Sequence, residues 1–444
     1  MVFGFLASLW RRTSAKAGRD AEAALLGAAV SARVHHRTVE HLNTVEIAVP
    51  AAAVDDGSGG RDRRAGRRLP LVMTHGYGAG LGLYFGTFDA LAGSGLFSRV
   101  LAVDWAGMGR SSRTAPPWPG AAATQSATTR DTETYFCDSL EAWRKAEGLE
   151  RFVLLGHSIG GYLAAVYAMR FPHRVAHLIL ASPVGLPRQP ENSMKRWEKQ
   201  PWRVRTLIKT ARWLWAHDVT PQWATRVAGS YLGRAMLWKY VDRRLRPAHA
   251  HWARIGVAPE QVLEYLYHIS AMGPGTGEFA LSRLLAPGAY AHAPLVDRLA
   301  PASPRERRAA RRAAAAAEKE DGSATEEEED GEGEGEGESG LCAATTRVTF
   351  LYGSHDWMDH RHADRLLPAL HAAGVEAEVL VVPKAGHQVF LDNADGFCGA
   401  LLGARERALA KEADAARAGG GGQAHHAAAA PPKAPPVAAG GARL

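Results

Sequence analysis

The stretch Gly156-His157-Ser158-Ile159-Gly160 decides the fold of this chain, because it has the spacing G-x-S-x-G. An apolar run, 152–155, precedes it, and a run of helix-like composition, 161–170, follows it. This order is typical of a nucleophile elbow, a sharp strand-to-helix turn that holds a serine in strained backbone geometry. Side chains two residues to either side would collide, and glycine removes them. The pattern predicts a catalytic serine at the carboxyl edge of a sheet; the alternative is a tight turn with an idle serine.

Apolar runs separated by helix-like stretches continue on both sides of the elbow. The runs with strand character are 45–49, 71–74, 100–103, 177–181, 348–352 and 378–382. Strands that alternate with helical stretches predict β-α-β units and a mostly parallel sheet with helices on both faces.

The pattern changes between residues 188 and 290, where seven of the twelve tryptophans occur among basic residues. This composition predicts a helical lid that covers the elbow. A tryptophan-rich lid suits a lipid or membrane interface, because the indole ring is amphipathic. The alternative is an ordinary helical core with large side chains.

Changes in composition along the chain predict its remaining boundaries. Residues 300–340 hold a basic block, an acidic block and a Gly-Glu repeat with almost nothing apolar to bury, and the C-terminal tail is rich in Ala, Gly and Pro. Such composition is typical of disorder. The expected segments are a peripheral N-terminal segment (1–40), a core in two parts (41–187 and 346–409), the lid (188–290), a disordered insertion (291–345) and a disordered tail (410–444).

Composition also limits the environment of the protein. The net charge is +7, which suits an anionic membrane surface or lipid better than nucleic acid, for which there is no motif. No apolar run reaches the about 20 residues of a membrane helix. The apolar residues 1–10 precede Arg11 and Arg12, which argues against a secretory signal. They could form an interfacial anchor; the alternative is a frayed terminus or the start of an amphipathic helix. Three cysteines without a spaced framework indicate a reducing, cytoplasmic location, and no metal site is expected.

A serine nucleophile needs a base, and the base needs an orienting acid. Two polar motifs follow apolar strands after the elbow, namely Gly353-Ser354-His355-Asp356 and Lys384-Ala385-Gly386-His387. Both lie at carboxyl ends of strands, in the order nucleophile, acid, base. Asp356 is the predicted acid and His387 the predicted base. Asp359, in the same loop as Asp356, is the alternative acid.

An oxyanion hole is the third element that acyl transfer requires. The residue after the nucleophile, Ile159, supplies one backbone N–H, and the loop after the first central strand supplies the second. That loop is 75–80, whose glycines allow the backbone to approach a substrate closely. The second donor is assigned to the N–H of Tyr77, with Gly78 as the alternative, and His75 is expected to brace the loop.

These segments together resemble the α/β-hydrolase superfamily, and more narrowly the subfamily of α/β-hydrolase domain-containing proteins four and five with its plant and fungal relatives. The matching stretches are 75–80, 104–112, 156–161, 351–358 and 386–393. Asp356-Trp357-Met358 and the H-x-x-x-x-D spacing of His387 and Asp392 resemble the plant form most. In glycerolipid acyltransferases that spacing pairs a histidine base with a carboxylate; the alternative is an aspartate that only fixes the loop.

The resemblance implies lipid metabolism. It implies acyl-CoA-dependent lysophosphatidic acid acyltransferase activity together with phospholipase and triacylglycerol lipase activity, with acyl-CoA as co-substrate and no resident cofactor. The expected partners are a glycerolipid or lysophospholipid and a membrane or lipid-droplet surface. Lid cations such as Arg203, Arg205 and Lys209 would meet a substrate phosphate. The alternatives are an ester hydrolase or peptidase of the same fold without acyltransferase activity, and a lipid-droplet-associated lipase regulator.

Overall fold

A central sheet of eight strands organises the protein in a computed structural model, which describes residues 13–50, 68–113, 125–190, 201–300, 341 and 347–420. The strands of this sheet are β1 Val34–Val39, β2 Leu42–Ile47, β3 Leu71–Thr74, β4 Val100–Val103, β5 Phe152–His157, β6 Val175–Ala181, β9 Arg347–Gly353 and β10 Ala377–Val382; β7 Leu285–Ala286 and β8 Tyr290–Ala291 form a separate ribbon. The order is β1-β2-β4-β3-β5-β6-β9-β10. Only β1–β2 and β2–β4 are antiparallel, and the other neighbours are parallel. The predicted mostly parallel sheet is confirmed.

Helices cover both faces of the sheet. In chain order they are α1 Ala15–Ala29, α2 Phe88–Gly93, α3 Gln125–Ala146, α4 Ile159–Arg170, α5 Trp202–Ala216, α6 Pro221–Arg244, α7 His249–Arg254, α8 Pro259–Ala271, α9 Ala280–Leu284, α10 Arg361–Ala372, α11 Val389–Asp392 and α12 Ala394–Gly420. Short 3₁₀ turns occur at Leu81–Tyr84, Arg246–Ala248, Gly277–Phe279 and Leu295–Asp297. The described part of the region predicted as a lid is mainly helical, with turns between its helices and the ribbon of β7 and β8 at its end.

Strand β5 shows how one sequence serves two cores. Successive side chains of a strand point to opposite faces of the sheet. Phe152 and Leu154 join the core under α3, α4 and α10, whereas Val153 and Leu155 join the core under α1, α2 and α12. Because both faces are covered, residues 152–155 of this strand are all apolar rather than alternating.

The N-terminal boundary differs from the prediction of a peripheral segment over 1–40. Strand β1 begins at Val34 and pairs with β2. The Glu22 side chain of α1 is fully buried and accepts hydrogen bonds from Asn43 and Arg110. The segment from residue 15 is therefore part of the core. Residues 1–12, where the sequence allows an interfacial anchor, lie outside the described residues.

The structure describes residues inside both segments that the sequence predicts to be disordered. Leu295, Leu299 and Leu341 are fully buried, so the start of the 291–345 insertion and one residue near its end pack on the core. Residues 301–340 and 342–346 lie outside the described residues. Helix α12 runs on to Gly420, because the alanine-rich sequence favours a helix. The rest of the tail, 421–444, is not described.

Candidate active site

The turn at Ser158 has the strained geometry that its glycines predicted. Ser158 follows β5 with φ 56° and ψ −119° and immediately precedes α4. A Cβ at Gly156 would collide with the carbonyl of Gly160, and a Cβ at Gly160 would collide with the carbonyl of His75. The two glycines therefore let the turn close and let α4 approach the loop after β3.

The loops after β9 and β10 bring the predicted acid and base to this serine. His387 Nε2 lies 3.0 Å from Ser158 Oγ, and His387 Nδ1 lies 3.1 Å from Asp356 Oδ1. Ser158 and His387 are each 8% exposed. With Nδ1–H donating to the carboxylate, Nε2 is free to accept the hydroxyl proton of the serine. The arrangement can activate an alcohol for attack on a carbonyl carbon.

Of the two candidate acids, the structure brings Asp356 and not Asp359 to the histidine. Burial alone would raise the pKa of Asp356, but its hydrogen bond with His387 and the charge of that ring hold the pKa below its ordinary value. The Met358 N–H also donates to Asp356 Oδ1, at 2.9 Å. Asp359 instead pairs with Arg361, with Oδ2 2.7 Å from Nη2, and this contact lowers the pKa of Asp359 strongly.

The expected oxyanion donors lie on the two backbone segments that meet at the serine. Ile159 is the first residue of α4, whose N-terminal N–H groups carry partial positive charge. Tyr77 follows Gly76, and a Cβ at Gly76 would lie only 2.9 Å from the Ser158 Cβ. Neither the Ile159 nor the Tyr77 N–H donates to a backbone carbonyl within the described part of the chain. Both remain available for a developing oxyanion.

His75 braces the oxyanion loop. Its Nδ1 bonds the carbonyl of Gly76 at 2.8 Å, and its Nε2 accepts the N–H of Trp105 at 3.2 Å. Burial lowers the pKa of His75, which suits a neutral ring with one donor and one acceptor nitrogen. Both nitrogens are used for structure.

Asp392 does not hold the imidazole, in contrast to the pairing suggested by its H-x-x-x-x-D spacing. Both ring nitrogens of His387 are taken by Ser158 and Asp356. Asp392 Oδ2 accepts the N–H of Gly386 at 2.8 Å and lies 4.0 Å from Arg244 Nη1. Burial raises the pKa of Asp392. This carboxyl fixes the loop that carries His387.

Two further side chains contact His387 and were not expected from the sequence. His157 Nε2 lies 2.8 Å from the carbonyl oxygen of His387. The Trp357 ring lies 5.0 Å from the His387 ring and is 57% exposed. His157 lies inside the G-x-S-x-G motif, and Trp357 directly follows Asp356. Their positions next to predicted catalytic residues are the sequence signal that could have identified them.

Residues 70–394 match the model of a protein family described as alpha/beta hydrolase fold. The chain belongs to this family. A probable 1-acylglycerol-3-phosphate O-acyltransferase of Oryza sativa subsp. japonica is 32% identical over 78% of this chain and 69% of that protein. The human 1-acylglycerol-3-phosphate O-acyltransferase ABHD5 is 34% identical over 52% of this chain and 59% of its own length. A human (lyso)-N-acylphosphatidylethanolamine lipase is 33% identical over 52% and 60%.

Family membership and these relatives confirm the subfamily resemblance and identify the chain as an enzyme of the α/β-hydrolase fold. Of the helices that the structure describes, none is long and apolar enough to cross a membrane.

Proposed function

We propose that this enzyme moves acyl groups of glycerolipids, acylating lysophosphatidate from acyl-CoA and hydrolysing phospholipid and triacylglycerol esters. The observation that carries the proposal is the hydrogen-bonded series from Ser158 through His387 to Asp356 at 3.0 and 3.1 Å. Acyl-CoA enters as a co-substrate, and no resident cofactor is required. We place the protein in the cytoplasm, with peripheral contact to a membrane or lipid droplet.

The first half of the reaction forms an acyl-enzyme. His387 Nε2 takes the proton of Ser158 as Oγ attacks the carbonyl carbon of an ester or thioester. The N–H groups of Ile159 and Tyr77 stabilise the oxyanion of the tetrahedral intermediate. When the intermediate collapses, the bond to the leaving alcohol or thiol breaks, and His387 returns the proton to that leaving group.

The second half decides between hydrolysis and transfer. Water or the free hydroxyl of lysophosphatidate attacks the acyl-enzyme while His387 takes its proton. Collapse then releases fatty acid or phosphatidate, and His387 returns the proton to Ser158. Exclusion of water by the lid favours the acceptor hydroxyl. In an alternative route, His387 deprotonates lysophosphatidate for direct attack on acyl-CoA, without covalent chemistry at Ser158.

A second candidate function is ester hydrolysis without acyl transfer. The complete Ser158–His387–Asp356 series favours it, because these three groups and water suffice for hydrolysis. Peptide hydrolysis would use the same groups. A purely regulatory role on lipid droplets is disfavoured by the same series, since a regulator has no need of an aligned base and acid.

The deciding experiment incubates the purified full-length protein with labelled acyl-CoA and lysophosphatidate and separates phosphatidate from free fatty acid. Phosphatidate from the wild type but not from Ser158→Ala supports transfer through the acyl-enzyme. Phosphatidate from both proteins supports direct attack with His387 as base. Fatty acid without phosphatidate would overturn the acyltransferase proposal and leave the hydrolase.

A further inference from the structure

Exposed apolar side chains are concentrated on helices α5 and α6. Of the large apolar residues that are exposed in the described part of the chain, all but Trp357 and Val381 lie there. They are Trp202, Val204 and Trp213 on α5, and Trp223, Val227, Tyr231, Leu232, Met236 and Tyr240 on α6. Nine exposed large apolar residues on two consecutive helices are more than the scattered single residues of an ordinary surface, and they suggest an interaction surface.

The exposed apolar residues of α6, called the α6 stripe here, occur on both parts of the helix that Gly229 separates. Residues 223 and 227 lie one turn apart before Gly229, and residues 232, 236 and 240 lie on successive turns after it. Gly229 adopts φ 74° and kinks the helix, and exposed apolar residues continue on either side of it. Thr225 and Gly233 of the same helix pack inward: both are buried, and a Cβ at Gly233 would lie 3.3 Å from the Tyr267 ring. The helix thus leaves apolar side chains exposed on both parts of its length.

The charge of α5 points to an anionic partner. Helix α5 carries Arg203, Arg205, Lys209 and Arg212 and no acidic residue. Arg203, Arg205 and Lys209 are exposed, and the Arg203 guanidinium lies 5.4 Å from the centre of the exposed Trp202 ring. Exposed indoles beside basic side chains are the combination with which helices bind the headgroup region of anionic bilayers.

We propose that the exposed faces of α5 and α6, called the lid surface here, lie on an anionic phospholipid surface. A second copy of the chain fits this face less well. A two-fold dimer brings the same patch of both subunits together, so the cations of one α5 would face those of the other. A phospholipid surface supplies both the apolar depth for the indoles and the phosphates for the cations. The inference deepens the proposed function and rests on it only for the lipid nature of the substrate.

The lid surface ends beside the catalytic histidine. Tyr240, the last residue of the α6 stripe, accepts a hydrogen bond at its hydroxyl from Gln388 Nε2 at 3.3 Å. Gln388 directly follows His387, whose ring is packed against the exposed Trp357. A lipid surface in contact with the stripe would thus lie next to the loop that carries His387. This placement would supply lipid substrates without their passage through bulk water.

The test measures co-flotation of the full-length Ser158→Ala protein with vesicles, since this variant avoids turnover of the lipid. Vesicles of phosphatidylcholine alone are compared with vesicles that also contain phosphatidylserine. One lid variant carries Trp223→Ser and Tyr231→Ser, and another carries Arg203→Glu and Lys209→Glu. The apolar control is Val381→Ser, exposed on β10. The charge control is Lys145→Glu with Lys411→Glu, which are exposed on α3 and α12.

The lid surface is supported if phosphatidylserine increases binding and both lid variants weaken it at least about tenfold, while the controls bind as the parent. Equal binding to both kinds of vesicle, or equal losses in lid and control variants, would overturn it. So would a dimer, seen by sedimentation, that Trp223→Ser and Tyr231→Ser dissociate, because the stripe would then be a contact between copies. Hydrolysis of a short, water-soluble ester by the wild type, and by lid variants that keep Ser158, tests the proposed function separately. Its absence from the wild type would count against the catalytic proposal and not against the lid surface.

Discussion

His157 Nε2 donates a hydrogen bond to the carbonyl oxygen of His387 at 2.8 Å, so the nucleophile elbow holds the backbone of the base directly. A carbonyl oxygen only accepts, which fixes the proton of His157 on Nε2. Burial, followed by the nearby charge of His387, lowers the pKa of His157 to about 3. The ring is therefore neutral during turnover. His157 is a positioning residue that acts through His387.

Replacement of His157 by leucine is expected to lower kcat roughly tenfold to a hundredfold, because small displacements of a catalytic base are costly. KM should change little, since His157 does not contact the substrate. His157→Gln keeps a donor near the same place and should recover most of the loss. Ester hydrolysis by the three proteins is the measurement. A leucine variant with wild-type kcat, or a glutamine variant as impaired as leucine, would contradict the positioning role.

The two candidate acids give a matched pair of variants. Asp356→Asn leaves the imidazole without the carboxylate that orients it and should reduce kcat by roughly 10⁴-fold. Asp359→Asn changes a surface carboxyl that pairs with Arg361 and should leave kcat within about twofold of wild type, as expected for an exposed ion pair. Both kcat values come from the same ester assay. The assignment fails if Asp359→Asn is the more damaging change.

Ser158→Ala tests the nucleophile itself. Loss of the serine hydroxyl removes acyl-enzyme formation and should reduce ester hydrolysis by roughly 10⁴-fold or more. The protein should fold normally, since alanine fits the space of a serine and the unfolding midpoint reports on any strain. Substantial ester hydrolysis by a folded Ser158→Ala protein would refute the role of Ser158.

The sequence predicted the elbow and the neighbouring strands because their constraints are local. Glycines beside Ser158 and the continuous apolar run of β5 each follow from a few adjacent residues. Strand β1 was not predicted, because it lies at the edge of the sheet, where His35, His36 and Arg37 supply no apolar run. An edge strand packs on fewer neighbours and carries a weaker signal.

Contacts between residues that are far apart in the chain could not be predicted from the sequence. Asp356 and Asp359 lie in the same loop, and only the path of that loop decides which carboxylate reaches His387. The bond from His157 to His387 joins residues 230 positions apart. The spacing of His387 and Asp392 suggested a contact that the loop geometry does not make, because the Asp392 carboxyl turns back to Gly386.

Asp392 offers a test that separates its two interpretations. If it only fixes the Gly386 N–H, Asp392→Ala should lower hydrolysis and acyl transfer by the same factor. Asp392→Asn, which keeps an acceptor oxygen, should then be nearly normal in both. If the charge of the Asp392 carboxylate instead helps the lysophosphatidate hydroxyl to react, Asp392→Asn should lose acyl transfer but keep hydrolysis. The structure favours the first result, and the ratio of phosphatidate to fatty acid from labelled acyl-CoA measures it.

Stability should fall in mild acid because of buried histidines. Burial, aided by the charges of Arg405 and other arginines, lowers the pKa of His177 to about 3, and His157 behaves alike. Because both folded-state pKa values lie below the unfolded value of 6.5, only the unfolded chain takes up these protons between those limits. Their stabilising contribution is complete above pH 6.5 and is lost as the pH falls toward 3.

At about pH 5 each such histidine should lower the free energy of unfolding by about 2 kcal/mol relative to neutral pH. His177→Gln removes one of the two groups and keeps a donor for Thr349, to which His177 Nε2 lies at 2.8 Å. The variant should therefore lose about 2 kcal/mol less than wild type between about pH 7 and pH 5, measured by denaturant unfolding. His173→Gln, at an exposed position, is the control and should follow the wild-type curve. Parallel pH curves for wild type and His177→Gln would show that His177 is protonated equally in the folded and unfolded chains.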